Sequence, residues 1–162
     1  MRVGIGYDIH RLVKGKKLLL GGVLIPSPKG LLGHSDGDIL HHAVVDAALG
    51  AVGLGDIGDY FSDRDSANKN RNSLEFVVKA RQLLSKKGFR VAQIDSVLIL
   101  EKPRLSGFKE KIRKNVAAAW GLDPKDVGVK AKTNEGLDAI GRGQAMACHA
   151  VAVLENLKRG KK

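Results

Sequence analysis

Asp8-Ile9-His10 and His41-His42 bring metal-binding side chains together early in this chain. In a strand, residues two apart point to the same side, so Asp8 and His10 can reach one point. On a helix, neighbours stand about 100° apart, so only one of His41 and His42 can face that point. His42 shares a helical stripe with Asp38 and Asp46, and a ligating imidazole wants its second N–H held by an acceptor. His42 is therefore the expected ligand. An Asp/His/His set with an open fourth position is the pattern of a catalytic, Lewis-acid zinc. The plainer alternative is a surface Asp-x-His beside an unrelated helical His pair.

Other residues suit phosphate. His34-Ser35-Asp36-Gly37-Asp38 opens a helix whose first N–H groups and dipole can seat a phosphate oxygen, with His34 donating to the same group. Asp36 or Asp38 can instead cap that helix, and capping is the preferred reading of Asp36. In Gly55-Asp56-Ile57-Gly58 a loop carboxylate can accept from sugar hydroxyls, although Asp-x-Gly is also a common turn. Lys132-Thr133-Asn134-Glu135 sets a hydroxyl beside a carboxylate at a strand end, which can serve a phosphate and the Mg²⁺ neutralising it. Arg142, between Gly141 and Gly143, offers a guanidinium fork to phosphate oxygens or an ion pair at a subunit contact.

The elements that must hold these groups follow from periodicity. Val3, Ile5 and Tyr7 alternate with glycines over Arg2 to Asp8, which reads as a strand. Lys17 to Leu20 and Val23 to Ile25 flank Gly21-Gly22, a hairpin signal, and Pro26 to Gly33 reads as a loop. Helical spacing runs from Gly37 to about Ala51. Gly53 to Asn72 reads as loop, and Ser73 as the N-cap of a helix to about Lys87, stopped by Gly88. Val91 to Leu100 and Val127 to Thr133 read as strands, with a helix capped by Ser106 and running through Trp120 between them. Gly143 to Leu154 alternates and is assigned as a strand. These elements predict an α/β (α+β) single-domain two-layer sandwich over residues 1–157, followed by a basic tail at 158–162. Its mixed four-stranded sheet carries helices on one face plus a small hairpin.

Composition narrows the class. Only seven residues are aromatic, so the core must be aliphatic, and the single Cys148 excludes a disulfide framework. No apolar run approaches the ~18 residues of a membrane span, and no basic-then-apolar leader opens the chain. A soluble cytoplasmic protein with no membrane partner is expected. The net charge of +11 is uneven: residues 1–66 hold 7 Lys/Arg and 8 Asp/Glu, residues 67–162 hold 21 and 9. That split suits a metal site in one region and an anion-binding surface in another, although a solvated helix face accounts for Lys109, Lys111, Arg113 and Lys114. With few aromatics for base stacking and no recognisable binding motif, no nucleic-acid partner is expected.

Several motifs occur together and in order: Tyr7-Asp8-Ile9-His10, His34 to Asp38 with His42, and Gly55 to Gly58 through Phe61 and Asp63. Pro103 follows, then Thr133-Asn134-Glu135 with Gly141-Arg142-Gly143. This resembles the 2-C-methyl-D-erythritol 2,4-cyclodiphosphate synthase family over essentially the whole chain. The resemblance implies a metal-dependent phosphorus–oxygen lyase of non-mevalonate isoprenoid precursor synthesis. Such an enzyme cyclises 4-diphosphocytidyl-2-C-methyl-D-erythritol 2-phosphate and releases CMP.

It implies that Asp8, His10 and His42 bind Zn²⁺ or a similar divalent ion, with Asp8 and His10 also meeting substrate. Glu135 would bind Mg²⁺ or Mn²⁺ bridging the α- and β-phosphates. His34 and the backbone near Ser35 would hold the β-phosphate, and Thr133, beside Lys132, the α-phosphate. His34, Thr133 and Glu135 would form the catalytic set. Asp56 and Gly58 would hold substrate hydroxyls, and Ile57 and Asp63 would line the methylerythritol end. Leu100 to Leu105, including Pro103 and Arg104, would form the cytidine pocket with Ala131. Arg142, counted among the substrate-binding residues, would face the central channel of a homotrimer with Gln144 and His149. The active sites of that trimer would lie between subunits. Gln144 replaces the family's usual acid, Asp138 stands where glycine is common, and Arg104 and Lys132 are more basic than usual. Two rival readings remain: a zinc phosphohydrolase with the same ligands but a linear product, and a basic nucleic-acid-binding protein.

Overall fold

Thirteen residues, Arg2–Lys14, form β1, and their pleat separates two kinds of side chain. Gly4, Gly6, Asp8, His10 and Leu12 turn to the covered side, while Val3, Ile5, Tyr7 and Ile9 turn away. The computed structural model describes residues 1–61 and 71–157. After β1 come β2 (Leu18–Leu20), β3 (Val23–Ile25), β4 (Lys29–Leu32), α1 (Ile39–Gly50), α2 (Ser73–Lys86) and β5 (Phe89–Ile99). The chain continues through α3 (Lys109–Trp120), β6 (Val127–Lys132), α4 (Asp138–Gly141) and β7 (Ala145–Asn156). β2 and β3 make the expected hairpin. The other strands form one mixed sheet in the order β4-β1-β7-β5-β6, antiparallel except where β5 meets β6.

The α/β sandwich with helices on one face is as the periodicity predicts, but the sheet has five strands rather than four. The extra one is β4, inside the stretch Pro26–Gly33 expected to be a loop. It is a short edge strand, paired with β1 from Arg11↔Leu32 to Lys14↔Lys29. Pro26 and Pro28 precede it, where a missing N–H costs the ladder nothing. Two helix starts also differ. Asn72 caps α2, its side chain accepting from the Leu74 N–H, and Ser73 is the first helical residue. Ser106 does not cap α3, which begins at Lys109 with no side-chain cap. The tail at 158–162 lies outside the described residues.

α1 is buried on almost every side, His41 and His42 included. It rests on β1 at backbone contact. A Cβ on Gly4 would lie 2.0 Å from the Ala47 carbonyl oxygen, and one on Gly6 would lie 1.9 Å from that of Ala43. Only glycine opposite alanine permits this approach, and it lowers His42 to the level of Asp8. Aliphatic side chains such as Leu40, Leu98, Ile112 and Leu154 fill the space between sheet and helices. The opposite face is bare: Val3, Ile5, Tyr7 and Ile9 are 43–72% exposed, beside Val151 and His149 of β7. These exposed side chains occupy neighbouring positions of the paired strands β1 and β7. No described helix is long and apolar enough to cross a membrane.

Candidate active site

Asp8 and His10 come from the covered side of β1, and His42 from the helix pressed onto that strand. One ligand atom from each lies within 4.8 Å of the others. His10 Nδ1 is 3.4 Å from Asp8 Oδ1, and His42 Nδ1 is 2.9 Å from Asp8 Oδ2. His10 Nδ1 also donates to the Ile9 carbonyl at 2.8 Å, which leaves Nε2 as the open nitrogen of that ring, and a carboxylate and two imidazoles this close can converge on a zinc-like ion with bonds of ~2.1 Å. His41 is turned towards the β2–β3 hairpin, its Nε2 3.9 Å from where a Gly22 Cβ would stand. Of the two histidines it is His42 that faces Asp8; helical phase admits only one of them, and the choice of His42 rested on its stripe with Asp38 and Asp46.

The groups holding His42 are not the ones its stripe predicts. Asp38 caps α1, accepting from the Leu40 and His41 N–H groups, and also takes those of Gly21 and Gly22. Asp46 accepts the Ile57 N–H at 2.8 Å. His42 Nε2 instead lies 3.0 Å from both Ser35 Oγ and Ser73 Oγ. The Ser73 hydroxyl donates onward to Asp36. With its proton committed there, Ser73 Oγ accepts from Nε2–H, which fixes the tautomer that leaves Nδ1 open to a cation. Asp36 is thus not the cap of α1; it ties this loop to α2 through the Ser73 N–H and hydroxyl. The α1 N-terminus does not offer the phosphate seat expected of it, because Asp38 already occupies the Leu40 and His41 amides.

Electrostatics favour a cation here. Burial is the largest influence on His42 and works to lower its pKa. The Asp8 hydrogen bond and the charges of Asp8, Asp38 and Asp36 outweigh it and raise the value. Burial likewise raises the Asp46 carboxyl, against the Ile57 N–H that lowers it. Cys148, beneath the site, has its thiol pushed far up by burial and then by Asp38 and Asp8, so it supplies no thiolate.

Asp8, His10, His34, Ser35, His42 and Ile57 line one cavity of about 340 Å³, closed by Leu32, Gly33, Asp46, Phe61 and Phe76. Asp56 caps the 3-10 turn Ile57–Asp59, its Oδ1 accepting from the Gly58 N–H at 2.8 Å. Asp63 lies outside the described residues. A second cavity of about 260 Å³ gathers Leu100, Pro103, Arg104, Leu105, Ala131, Lys132 and Thr133, with Glu101, Ser106 and Lys109. Thr133 Oγ1 donates to Glu135 at 2.8 Å. Asp138 has φ 55°, the left-handed backbone that glycine adopts freely, and its carboxylate accepts from Ile140 N–H and the Asn134 amide. Arg142 follows α4 and lines neither cavity, and among the described residues none lines both. A larger cavity of about 620 Å³ is walled by Leu84, Phe89, Val91 and Trp120; among the described residues it shares none with either site and presents no metal-ligating side chain.

Sequence reasoning overlooks the Ser73 hydroxyl at the metal site and the grip of Asp46 on Ile57. The only sign of Ser73 is its place at a helix start, where capping accounts for it equally well.

A model of the YgbB family matches residues 1–155. The chain is 53% identical over 154 residues to the 2-C-methyl-D-erythritol 2,4-cyclodiphosphate synthase of Desulfosudis oleivorans, spanning 95% of this chain and 92% of that relative. Among solved structures, the bifunctional IspDF from Campylobacter jejuni matches with a TM-score of 0.92 and 39% identity. That match covers 98% of this chain and 43% of the longer one. A CDP-bound form of 2C-methyl-D-erythritol-2,4-cyclodiphosphate synthase matches with a TM-score of 0.88 and 39% identity, over 95% of this chain and 100% of that one.

Proposed function

This chain belongs to the YgbB family, and on that premise we propose the reaction it catalyses. It converts 4-diphosphocytidyl-2-C-methyl-D-erythritol 2-phosphate to 2-C-methyl-D-erythritol 2,4-cyclodiphosphate and releases CMP. It is then a cyclising phosphorus–oxygen lyase of non-mevalonate isoprenoid precursor synthesis, working in the cytoplasm. The observation that carries this reading is the convergence of Asp8, His10 and His42 on one wall of a cavity that also presents His34 and Ser35. The 53% identity to a synthase of that name and the CDP-bound relative support it.

An oxygen of the substrate's 2-phosphate forms a bond to the β-phosphorus. The bond from that phosphorus to the bridging oxygen breaks, and CMP leaves with this oxygen. Attacker and target share one molecule, so the protein chiefly has to fold the substrate into line. The attacking phosphate is an anion at neutral pH and needs no strong base, in keeping with the closed-off Cys148 thiol. Zn²⁺ or a similar ion at Asp8/His10/His42 and Mg²⁺ or Mn²⁺ at Glu135 supply positive charge to the phosphoryl oxygens when bound. The nitrogen-and-carboxylate set suits the first ion, and the Glu135 carboxylate beside the Thr133 hydroxyl suits a hard cation.

His34 and the Ser35 backbone hold the β-phosphate, and Thr133 with Lys132 the α-phosphate. Asp56, Ile57, Gly58 and Asp63 hold the methylerythritol end. Leu100 to Leu105 and Ala131 hold the cytidine. We infer a homotrimer, supported by two features: cavities with no wall in common, and a bare apolar face on β1 and β7. Substrate then bridges the metal cavity of one subunit and the nucleotide cavity of the next, with Arg142, Gln144 and His149 towards the central channel.

A zinc phosphohydrolase would use the same ligands but deliver a linear product. Phosphorus NMR of the purified protein with the cytidylyl substrate, with and without chelator, separates the two. A cyclic diphosphate with CMP, lost on chelation, is expected. CMP with an acyclic methylerythritol bisphosphate and no cyclic product would overturn the reading.

A further inference from the structure

The structure assigns Glu101 a positioning role that deepens, and rests on, the reaction proposed above. Its carboxylate, at the wall of the nucleotide cavity, fixes the turn that carries Thr133 and Glu135. Glu101 follows β5 and lines that cavity with Pro103 and Arg104. Its Oε1 accepts from the Asn134 N–H at 2.8 Å and lies 3.4 Å from the Gly136 nitrogen. These two amides flank Glu135, whose φ of 51° is left-handed backbone that side chains rarely adopt. A conformation of this kind persists only where its surroundings hold it.

The other bonds of the turn close it on itself. Leu137 N–H donates to the Asn134 carbonyl, and the Asn134 side chain reaches Leu137 and Asp138. Among the described residues, the tie that reaches from this turn to the nucleotide wall is Glu101. The segment that receives cytidine is therefore joined to the end of β6 by the Leu100 N–H, which donates to the Lys132 carbonyl, and to the turn around Glu135 by the Glu101 side chain. What the geometry uses is an acceptor oxygen rather than a charge, so glutamine can serve in its place.

Glu101→Gln and Glu101→Ala in the full-length chain, with Glu135→Ala as reference, test this. E101Q, which keeps the acceptor oxygen, retains about tenfold or more of the kcat that E101A loses. E101A lowers kcat on the order of 100-fold, the cost of a misplaced catalytic group, while KM for the cytidylyl substrate moves far less. Exchange of the Asn134 and Gly136 amide protons, followed by NMR without substrate or metal, speeds up about tenfold or more in E101A and not in E101Q. E101A combined with E135A turns over no more slowly than E135A alone. A glutamine variant as impaired as the alanine one would overturn the role, since charge would then matter. So would a raised KM with kcat and amide exchange unchanged, which would mean direct contact with the nucleotide. If the unaltered protein forms no cyclic product, the reaction proposal fails, and amide exchange still decides the role of Glu101.

Discussion

The metal cavity is assembled from the middles of regular elements, and the nucleotide cavity from their ends. Asp8 and His10 stand inside β1 and His42 inside α1, with ladder bonds along the strand and the helix packed against it. Leu100 to Leu105 begin where β5 stops, and Thr133 to Glu135 where β6 stops. The first region is aimed by helix–strand contact at Gly4 and Gly6; the second is aimed by single side-chain bonds to backbone amides. Packing tolerates little change in volume, whereas an end held by hydrogen bonds tolerates volume but not the loss of an acceptor.

The largest effect should come from the ligands themselves. His42→Ala or Asp8→Ala is expected to abolish cyclic product and bound zinc while circular dichroism retains the folded spectrum. Undiminished CMP release in either variant would place the chemistry outside this region. Ser73→Ala removes the hydroxyl that holds His42 Nε2, and metal affinity measured by chelator competition should drop about 10- to 100-fold. CDP titration of the same variant should be unchanged, and a parallel loss there would erase the distinction between the two regions.

Backbone contact can be probed with one methyl group. Gly6→Ala forces a Cβ onto the Ala43 carbonyl and should cost about 1–3 kcal/mol in urea denaturation. Gly107→Ala, beside the nucleotide cavity with nothing within 4 Å of its Cβ, should stay within about 0.5 kcal/mol. Equal losses would break the contrast. The smallest effect belongs to Arg104→Ala, expected to raise KM for the cytidylyl substrate about three- to tenfold with kcat and zinc content unchanged.

The same contrast governs what could be read from the residues alone. Period two placed Asp8 with His10, and helical phase separated His42 from His41, because both ligand pairs sit where periodicity holds. β4 escaped because four edge residues among prolines and glycines carry too little pattern to register, and with it went the origin of Leu32 in the cavity wall. The cap of α1 is Asp38 and not the preferred Asp36, because a capping carboxylate and one reaching a distant helix look alike in sequence. Ser73 and Glu101 were missed for a related reason: each acts on a partner at least 31 positions away, and local spacing is blind to that. The cytidine wall, mostly backbone and aliphatic carbon, was legible only through family resemblance.

β1 carries a further implication. Its pleat places Tyr7 and Ile9 on either side of Asp8, and Ile9 and Arg11 on either side of His10, facing outward. One spine therefore serves both the chemistry and the outer surface. Any contact that displaces this strand from its outer side moves the Asp8 and His10 backbone with it. Ligand aim and outer contour are thus two readings of a single backbone path, and neither can shift alone.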